Sequence, residues 1–194
     1  MDNFFALLSR MRHIRRWALM RSTEEENVME HTQQVAVFTH ALCAIENTVF
    51  GGKLDTEKAV MFALYHETGE VITGDLPTPI KYYNGKIREA YKEIERTAAE
   101  KVADMLPEEL KPAFLPYVLE DGTTEEHRIM KYADRLSAYC KCLEEVKSGN
   151  REFESAAKAI KKDLVGYHNR AVDYFMEHFL PGFSMTLDEI NKDA

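Results

Sequence analysis

Val28-Met29-Glu30-His31-Thr32-Gln33-Gln34-Val35-Ala36-Val37-Phe38-Thr39-His40-Ala41-Leu42 decides the class of fold. Val28, His31, Val35, Phe38 and Leu42 stand three and four residues apart, and Ile45 and Val49 continue the row. That spacing lines one face of an α-helix. No alternation of period two, the mark of a half-buried strand, is sustained here. One residue breaks the apolar row: His31, near the helix start.

The same pattern extends outward. It predicts helices over about residues 2–14, 28–47, 55–67 and 86–105, and a short one from Pro107. A further helix runs to about Lys147, a long one covers about 152–178, and a short one lies near 187–191. Asp55 reads as an N-cap, and Thr123 or Thr124 with Glu126 resembles a capping signal. Gly51-Gly52 breaks the chain, and Gly74-Asp75-Leu76-Pro77-Thr78-Pro79 reads as a rigid loop. The expected fold is all-α, an irregular helical bundle forming a single domain over residues 1–194. A chain of 194 residues can bury a full core without disulfides.

Composition narrows the setting. A formal charge of −8 makes a nucleic-acid polymer a poor partner. Arg10, Arg12, Arg15, Arg16 and Arg21 form a local exception, fit for one small anion or for a solvated helix face. No apolar run approaches the roughly 18 residues of a membrane span. The opening Phe4-Phe5-Ala6-Leu7-Leu8 is too short for a signal-peptide core, and its basic residues follow it. A cytoplasmic, reducing setting is expected, with Cys43, Cys140 and Cys142 as thiols and the first two buried.

Polar residues on apolar faces carry the chemistry. His31 lies inward on the second helix. On the third, Ala59, Phe62, Ala63 and His66 share a face that reaches Glu70 one turn on. Asp134 edges the face of Ile129, Ala133, Leu136, Cys140 and Leu143, with Arg135 as a possible salt-bridge partner. A lone core histidine is usually just a satisfied one. Several histidines and carboxylates from three helices cost several kcal/mol each if buried unpaired, and a divalent cation removes that cost. Adjacent helix residues diverge by about 100°, so His66 and Glu67 can reach one ion while Glu70 projects between them a turn away. A metalloprotease motif fails because Glu70 stands where a second His is required. Val28 and Ala63 occupy the positions a di-iron bundle gives to Glu.

Arg16-Trp17, Glu26-Asn27-Val28-Met29-Glu30-His31, Leu64-Tyr65-His66-Glu67-Thr68-Gly69-Glu70, Gly74-Asp75-Leu76-Pro77-Thr78-Pro79-Ile80-Lys81-Tyr82 and Ala133-Asp134 together resemble the HD-domain metal-dependent phosphohydrolases. The nearest branch is the bacterial 5′-deoxynucleotidases of YfbR-like type, and the likeness runs on through Asp173-Tyr174-Phe175-Met176 to Ile190. The resemblance implies an HD-type bundle and hydrolysis of nucleoside 5′-monophosphates, deoxyribonucleotides preferred. It implies one divalent transition-metal ion (cobalt, manganese, copper, zinc or iron) held by His31, His66, residue 67 and Asp134. It also implies Glu70 as catalytic carboxylate, Arg16, Trp17 and Asp75 around the substrate, and a homodimer. Arg16 would meet the phosphoryl oxygens, Trp17 would wall the sugar against a 2′ hydroxyl, and Asp75 would accept from the 3′ hydroxyl. The sequence departs from the family at Glu67, where Asp is usual; the extra methylene moves the carboxylate by about a bond length, enough to alter metal preference or rate. Competing readings are another nucleotide phosphohydrolase of the same superfamily, and a metal- or nucleotide-binding module without catalysis.

Overall fold

The computed structural model describes residues 2–81, 83–119 and 122–192, the Thr78 side chain apart, so Tyr82 of the loop motif lies outside them. Among the described residues all regular elements are helical, with one isolated antiparallel bridge between Arg15 and Asn27. The α-helices are α1 (Phe4–Leu8), α2 (Val28–Ala44), α3 (Thr56–Tyr65), α4 (Glu70–Thr73), α5 (Thr78–Lys81), α6 (Gly85–Ala103), α7 (Lys111–Val118), α8 (Glu125–Lys147), α9 (Glu154–Gly166), α10 (Arg170–His178) and α11 (Leu187–Lys192). None is long and apolar enough to cross a membrane.

Local chemistry sets the starts. Asn27 Oδ1 accepts from the amides of Met29 and Glu30, each at 3.0 Å, while Glu30 Oε2 accepts from the Asn27 amide at 3.2 Å. This reciprocal cap fixes α2 one turn before His31. Asp55 caps α3 and Thr124 caps α8, each accepting from an amide three residues on.

α2, α3 and α8 pack against one another around Val35, Leu42, Phe62, Ala63, Met130, Ala133 and Leu136. A smaller apolar cluster joins Phe4 to Val102, Ala103 and Leu106 of α6 and its end, and to Val118 of α7. All three cysteines are buried thiols.

The helix ends depart from the sequence reading. The first helix tightens into a 3₁₀ turn over Ser9–His13. α2 ends in a π-turn over Ile45–Val49, and the extra residue in that turn rotates Val49 off the buried row and leaves it exposed. Pro107 sits in a turn whose carbonyl accepts from Leu110, and the helix begins at Lys111 with Pro112 in its first turn. The long helix expected over 152–178 is broken. His168 adopts φ 48°, and Asn169 caps a new helix by accepting from the amides of Ala171 and Val172. Gly166, a weak helix former, precedes that cap, which provides an alternative to continued helix.

The irregular stretch before α2 is tied down by a buried carboxylate. Glu145 of α8 accepts from the Thr23 amide and hydroxyl, both at 2.8 Å, from Asn150 Nδ2 at 2.8 Å, and from Lys141 Nζ at 2.6 Å. Burial works to raise its pKa, but Lys141, the Thr23 amide and Asn150 outweigh that and hold the carboxyl well below the usual range. Glu145→Ala leaves the Lys141 ammonium without its carboxylate and should cost about 3 kcal/mol in urea unfolding. Because the carboxyl is depressed, its contribution is complete above the ordinary value of 4.5 and is lost as the pH falls below it. The wild-type advantage over the variant should therefore shrink in acid.

Candidate metal centre

His31 is fully buried on α2. Its Nδ1 lies 3.0 Å from Ser137 Oγ on α8, and the Ser137 hydroxyl donates to Gln34 Oε1 at 2.6 Å. The serine proton is thus committed to Gln34, so its oxygen accepts from Nδ1–H. His66 closes α3, and its Nδ1 lies 2.7 Å from the Ala63 carbonyl, which can only accept. Both rings therefore carry hydrogen on Nδ1 and present a bare Nε2. Both Nε2 atoms are buried and without a hydrogen-bond partner.

Carboxylates face these nitrogens. Asp134 Oδ1 is 3.1 Å from His31 Nε2. Glu67 Oε1 is 3.2 Å from His66 Nε2 and 3.9 Å from His31 Nε2. One ligand atom from each of His31, His66, Glu67 and Asp134 lies within 4.8 Å of all the others. Bare nitrogen against carboxylate oxygen is lone pair against lone pair, unfavourable unless a cation stands between. Two imidazoles and two carboxylates also suit a divalent transition ion. The residues present fit such an ion.

The electrostatics agree. Burial, then the Arg16 charge, lowers the His31 pKa and keeps the ring neutral, as a ligand must be. Burial opposes ionisation of Asp134 and Glu67, yet both are held below the usual carboxylate range when the imidazole edges they face carry positive charge, the place a cation takes when the rings are neutral. Glu70 behaves oppositely: burial, then repulsion from Glu67 and Asp75, pushes it up to about 10.

The ligands do not all come from the helix sides expected. α3 ends at Tyr65; His66 to Gly69 form turns, and Glu70 opens α4. Gly69 permits this, since a Cβ there would lie 2.9 Å from the Glu95 carbonyl of α6. Glu70 is only 3% exposed, stands outside the group of four, and leaves Oε2 unpartnered.

The residues that the resemblance puts around a substrate lie beside the four. Arg16 Nε donates to Glu26 Oε2 at 3.1 Å, and its Nη1 is 3.9 Å from Glu67 Oε1. Trp17 packs on Phe153, ring centroids 5.3 Å apart. Its φ of 58° is the left-handed region, at a cost on the order of 1 kcal/mol for a bulky residue. Burial raises the Asp75 pKa, opposed by Arg16 and by a hydrogen bond from the Trp17 backbone. Of the five clustered arginines only Arg16 turns inward. Arg15 pairs with Glu25 and Arg21 with Glu152, while Arg10 and Arg12 are exposed. Arg135 pairs with Asp163, leaving Asp134 to the centre.

Sequence reasoning missed Ser137, Gln34, Glu26 and Lys81. Gln34 and Ser137 each follow a ligand by three residues on its own helix, a spacing that carried the signal. Lys81 Nζ bonds Glu95 Oε1 at 2.7 Å and ties α5 to α6. Ser137→Ala removes the acceptor of His31 Nδ1–H. Metal affinity should fall by about 10- to 100-fold in a chelator competition, with the fold unchanged.

Residues 3–183 match the sequence model of the family described as 5′-deoxynucleotidase YfbR-like. The chain belongs to this family. Among YfbR-like relatives, a 5′-deoxynucleotidase of Photorhabdus laumondii is 51% identical, covering 100% of this chain and 98% of its own. The 5′-deoxynucleotidase YfbR of Salmonella arizonae is 49% identical with the same coverage. An HD-domain phosphohydrolase of Listeria innocua superposes with a TM-score of 0.83 at 23% identity, over 99% of this chain and 98% of that one. The cyanophage S-2L HD phosphohydrolase, solved bound to dA and one catalytic Zn2+ ion, superposes at 0.62 with 21% identity, over 93% and 96%. These two structures bear on the fold, and they place the YfbR-like chain in the all-helical HD-domain architecture.

Proposed function

We propose that the chain hydrolyses deoxyribonucleoside 5′-monophosphates to nucleoside and phosphate, with one divalent transition-metal ion held by His31, His66, Glu67 and Asp134. The observation that carries this is the convergence of those four ligand atoms within 4.8 Å, both Nε2 atoms buried and unpartnered. The names of the relatives support the substrate class. Such an ion supplies Lewis-acid stabilisation of phosphoryl charge and acidifies water.

The chain's own groups do the rest. Arg16, its Nε committed to Glu26 and its Nη1 3.9 Å from Glu67 Oε1, presents its Nη edge to the phosphoryl oxygens in a charge-assisted contact. The Trp17 indole walls the sugar and leaves no room for a 2′ hydroxyl. Asp75 accepts from the 3′ hydroxyl. Glu70, buried and with one oxygen unpartnered, takes the proton of the attacking water and delivers it to the departing 5′ oxygen. The water attacks phosphorus in line with that oxygen. Glu67 Oε1 lies 3.2 Å from His66 Nε2 and 3.9 Å from His31 Nε2, so the extra methylene does not keep its carboxylate out of the group. Family resemblance supports a homodimer, which analytical ultracentrifugation reads directly.

The test is to measure bound metal in the purified protein and to follow phosphate release from deoxyribo- and ribonucleoside monophosphates with cobalt, manganese, copper and zinc. Release from deoxyribonucleotides in preference to ribonucleotides is expected. No release from any monophosphate under any of the metals removes the reading.

A further inference from the structure

Arg16 and Trp17 share one acceptor. Glu26 Oε2 accepts from Arg16 Nε at 3.1 Å and from Trp17 Nε1 at 2.7 Å. The indole has a single N–H, so that bond is its whole polar capacity. The Glu26 backbone carbonyl accepts from the Arg16 amide at 2.9 Å, and the Arg15–Asn27 bridge adjoins it. The Glu26 side chain is 11% exposed, so water competes little for either bond.

The consequence is geometric. Tying Arg16 through Nε turns its Nη edge toward the centre, where Nη1 lies 3.9 Å from Glu67 Oε1. Tying Trp17 through Nε1 fixes the ring's rotation on a backbone already held at φ 58° and against Phe153. One carboxylate oxygen therefore sets the relative placement of an anion-binding edge and an aromatic wall.

We propose that Glu26 is a positioning residue that sets sugar selectivity: it registers the Trp17 wall against the Arg16 phosphate contact, so that a nucleotide anchored by its phosphate meets the ring at the 2′ carbon. This rests on the proposed nucleotide reading of the site. A purely structural ion pair would alter stability and leave selectivity alone. A wall of this kind separates substrates that differ by a hydroxyl by about 100-fold at most, so its loss is measurable as a ratio.

The experiment compares Glu26→Ala, Glu26→Gln and Glu25→Ala with the wild type. Trp17 is the only tryptophan, so its fluorescence reports the ring's surroundings without any assay. Glu25, paired with Arg15 at the exposed surface, is the control. Glu26→Ala should shift Trp17 emission and lower the deoxyribo-to-ribo ratio of kcat/KM by about tenfold. Glu26→Gln keeps an acceptor oxygen and should retain the emission and most of the ratio while raising KM through a looser Arg16. Glu25→Ala should match the wild type throughout. Glu26→Ala with an unchanged ratio overturns the proposal whatever its emission, as does an equal change in Glu25→Ala. A wild-type protein that releases no phosphate defeats the nucleotidase reading instead, and the Trp17 emission of Glu26→Ala then still decides whether Glu26 holds the ring.

Discussion

Glu70→Gln should bind its metal at undiminished stoichiometry and turn over about 10³-fold more slowly. The substitution keeps the shape of the side chain and removes only its capacity to carry the proton. Glu70 lies outside the set of four converging ligand atoms, so the ion has no direct claim on it. Its carboxyl is nevertheless buried against Glu67 and Asp75 and is pushed up to about 10, the behaviour of a group made to hold a proton rather than shed it. A cation among the ligands draws that value down, which places the group between base and acid as turnover requires. Metal content by mass spectrometry and kcat at saturating substrate read the two halves separately. Loss of the ion in Glu70→Gln would make it a ligand, and unchanged kcat would remove it from the chemistry.

The parts of this site that the sequence disclosed are those that violate a pattern. His31 interrupts an apolar row, His66 ends one and Asp134 edges one; each is conspicuous because burying a polar group without a partner is costly. The residues that orient them were not conspicuous. Ser137 meets His31 across 106 residues of chain, and a serine on a helix face violates nothing. Glu26 belongs to a run of three glutamates in which nothing distinguishes it, and the return of the chain at the Arg15–Asn27 bridge turns it inward. The fold shows the same division. Repeating faces such as Val35, Phe38 and Leu42 placed the helices correctly, because burial selects the period. Helix ends depend on single local competitions, as at Asn169, where a cap prevailed over continuation, and at Pro107, where a turn did. The π-turn that exposes Val49 has no periodic signature at all.

Glu67 stands where the family resemblance implies an aspartate, and in the proposed centre it should be the most sensitive ligand. Its Oε1 is 3.2 Å from His66 Nε2, 3.9 Å from His31 Nε2 and 3.9 Å from Arg16 Nη1, so one oxygen faces both imidazole nitrogens and the Arg16 guanidinium. Glu67→Ala leaves a single carboxylate, Asp134, to balance a divalent charge and deprives Arg16 of an inward counter-charge. Metal affinity should drop by at least about 10²-fold in chelator competition, with activity lost in parallel. Glu67→Asp is the finer probe. From the same backbone its carboxylate ends about a bond length, ~1.5 Å, short of the present oxygen. The turn from His66 to Gly69 packs on α6 at Gly69, where a Cβ would lie 2.9 Å from the Glu95 carbonyl, and that packing holds the backbone of residue 67 in place. Glu67→Asp should therefore retain metal with altered preference among cobalt, manganese and zinc, and kcat should fall by about 10- to 100-fold. An aspartate variant as active as the wild type, with the same metal preference, would mean that the turn adjusts and that Gly69 does not fix it. The double variant Glu67→Asp/Gly69→Ala separates these cases, because a Cβ at residue 69 would lie 2.9 Å from the Glu95 carbonyl and forces the turn to shift, so a kcat that differs from that of Glu67→Asp alone shows that the packing at Gly69 places residue 67.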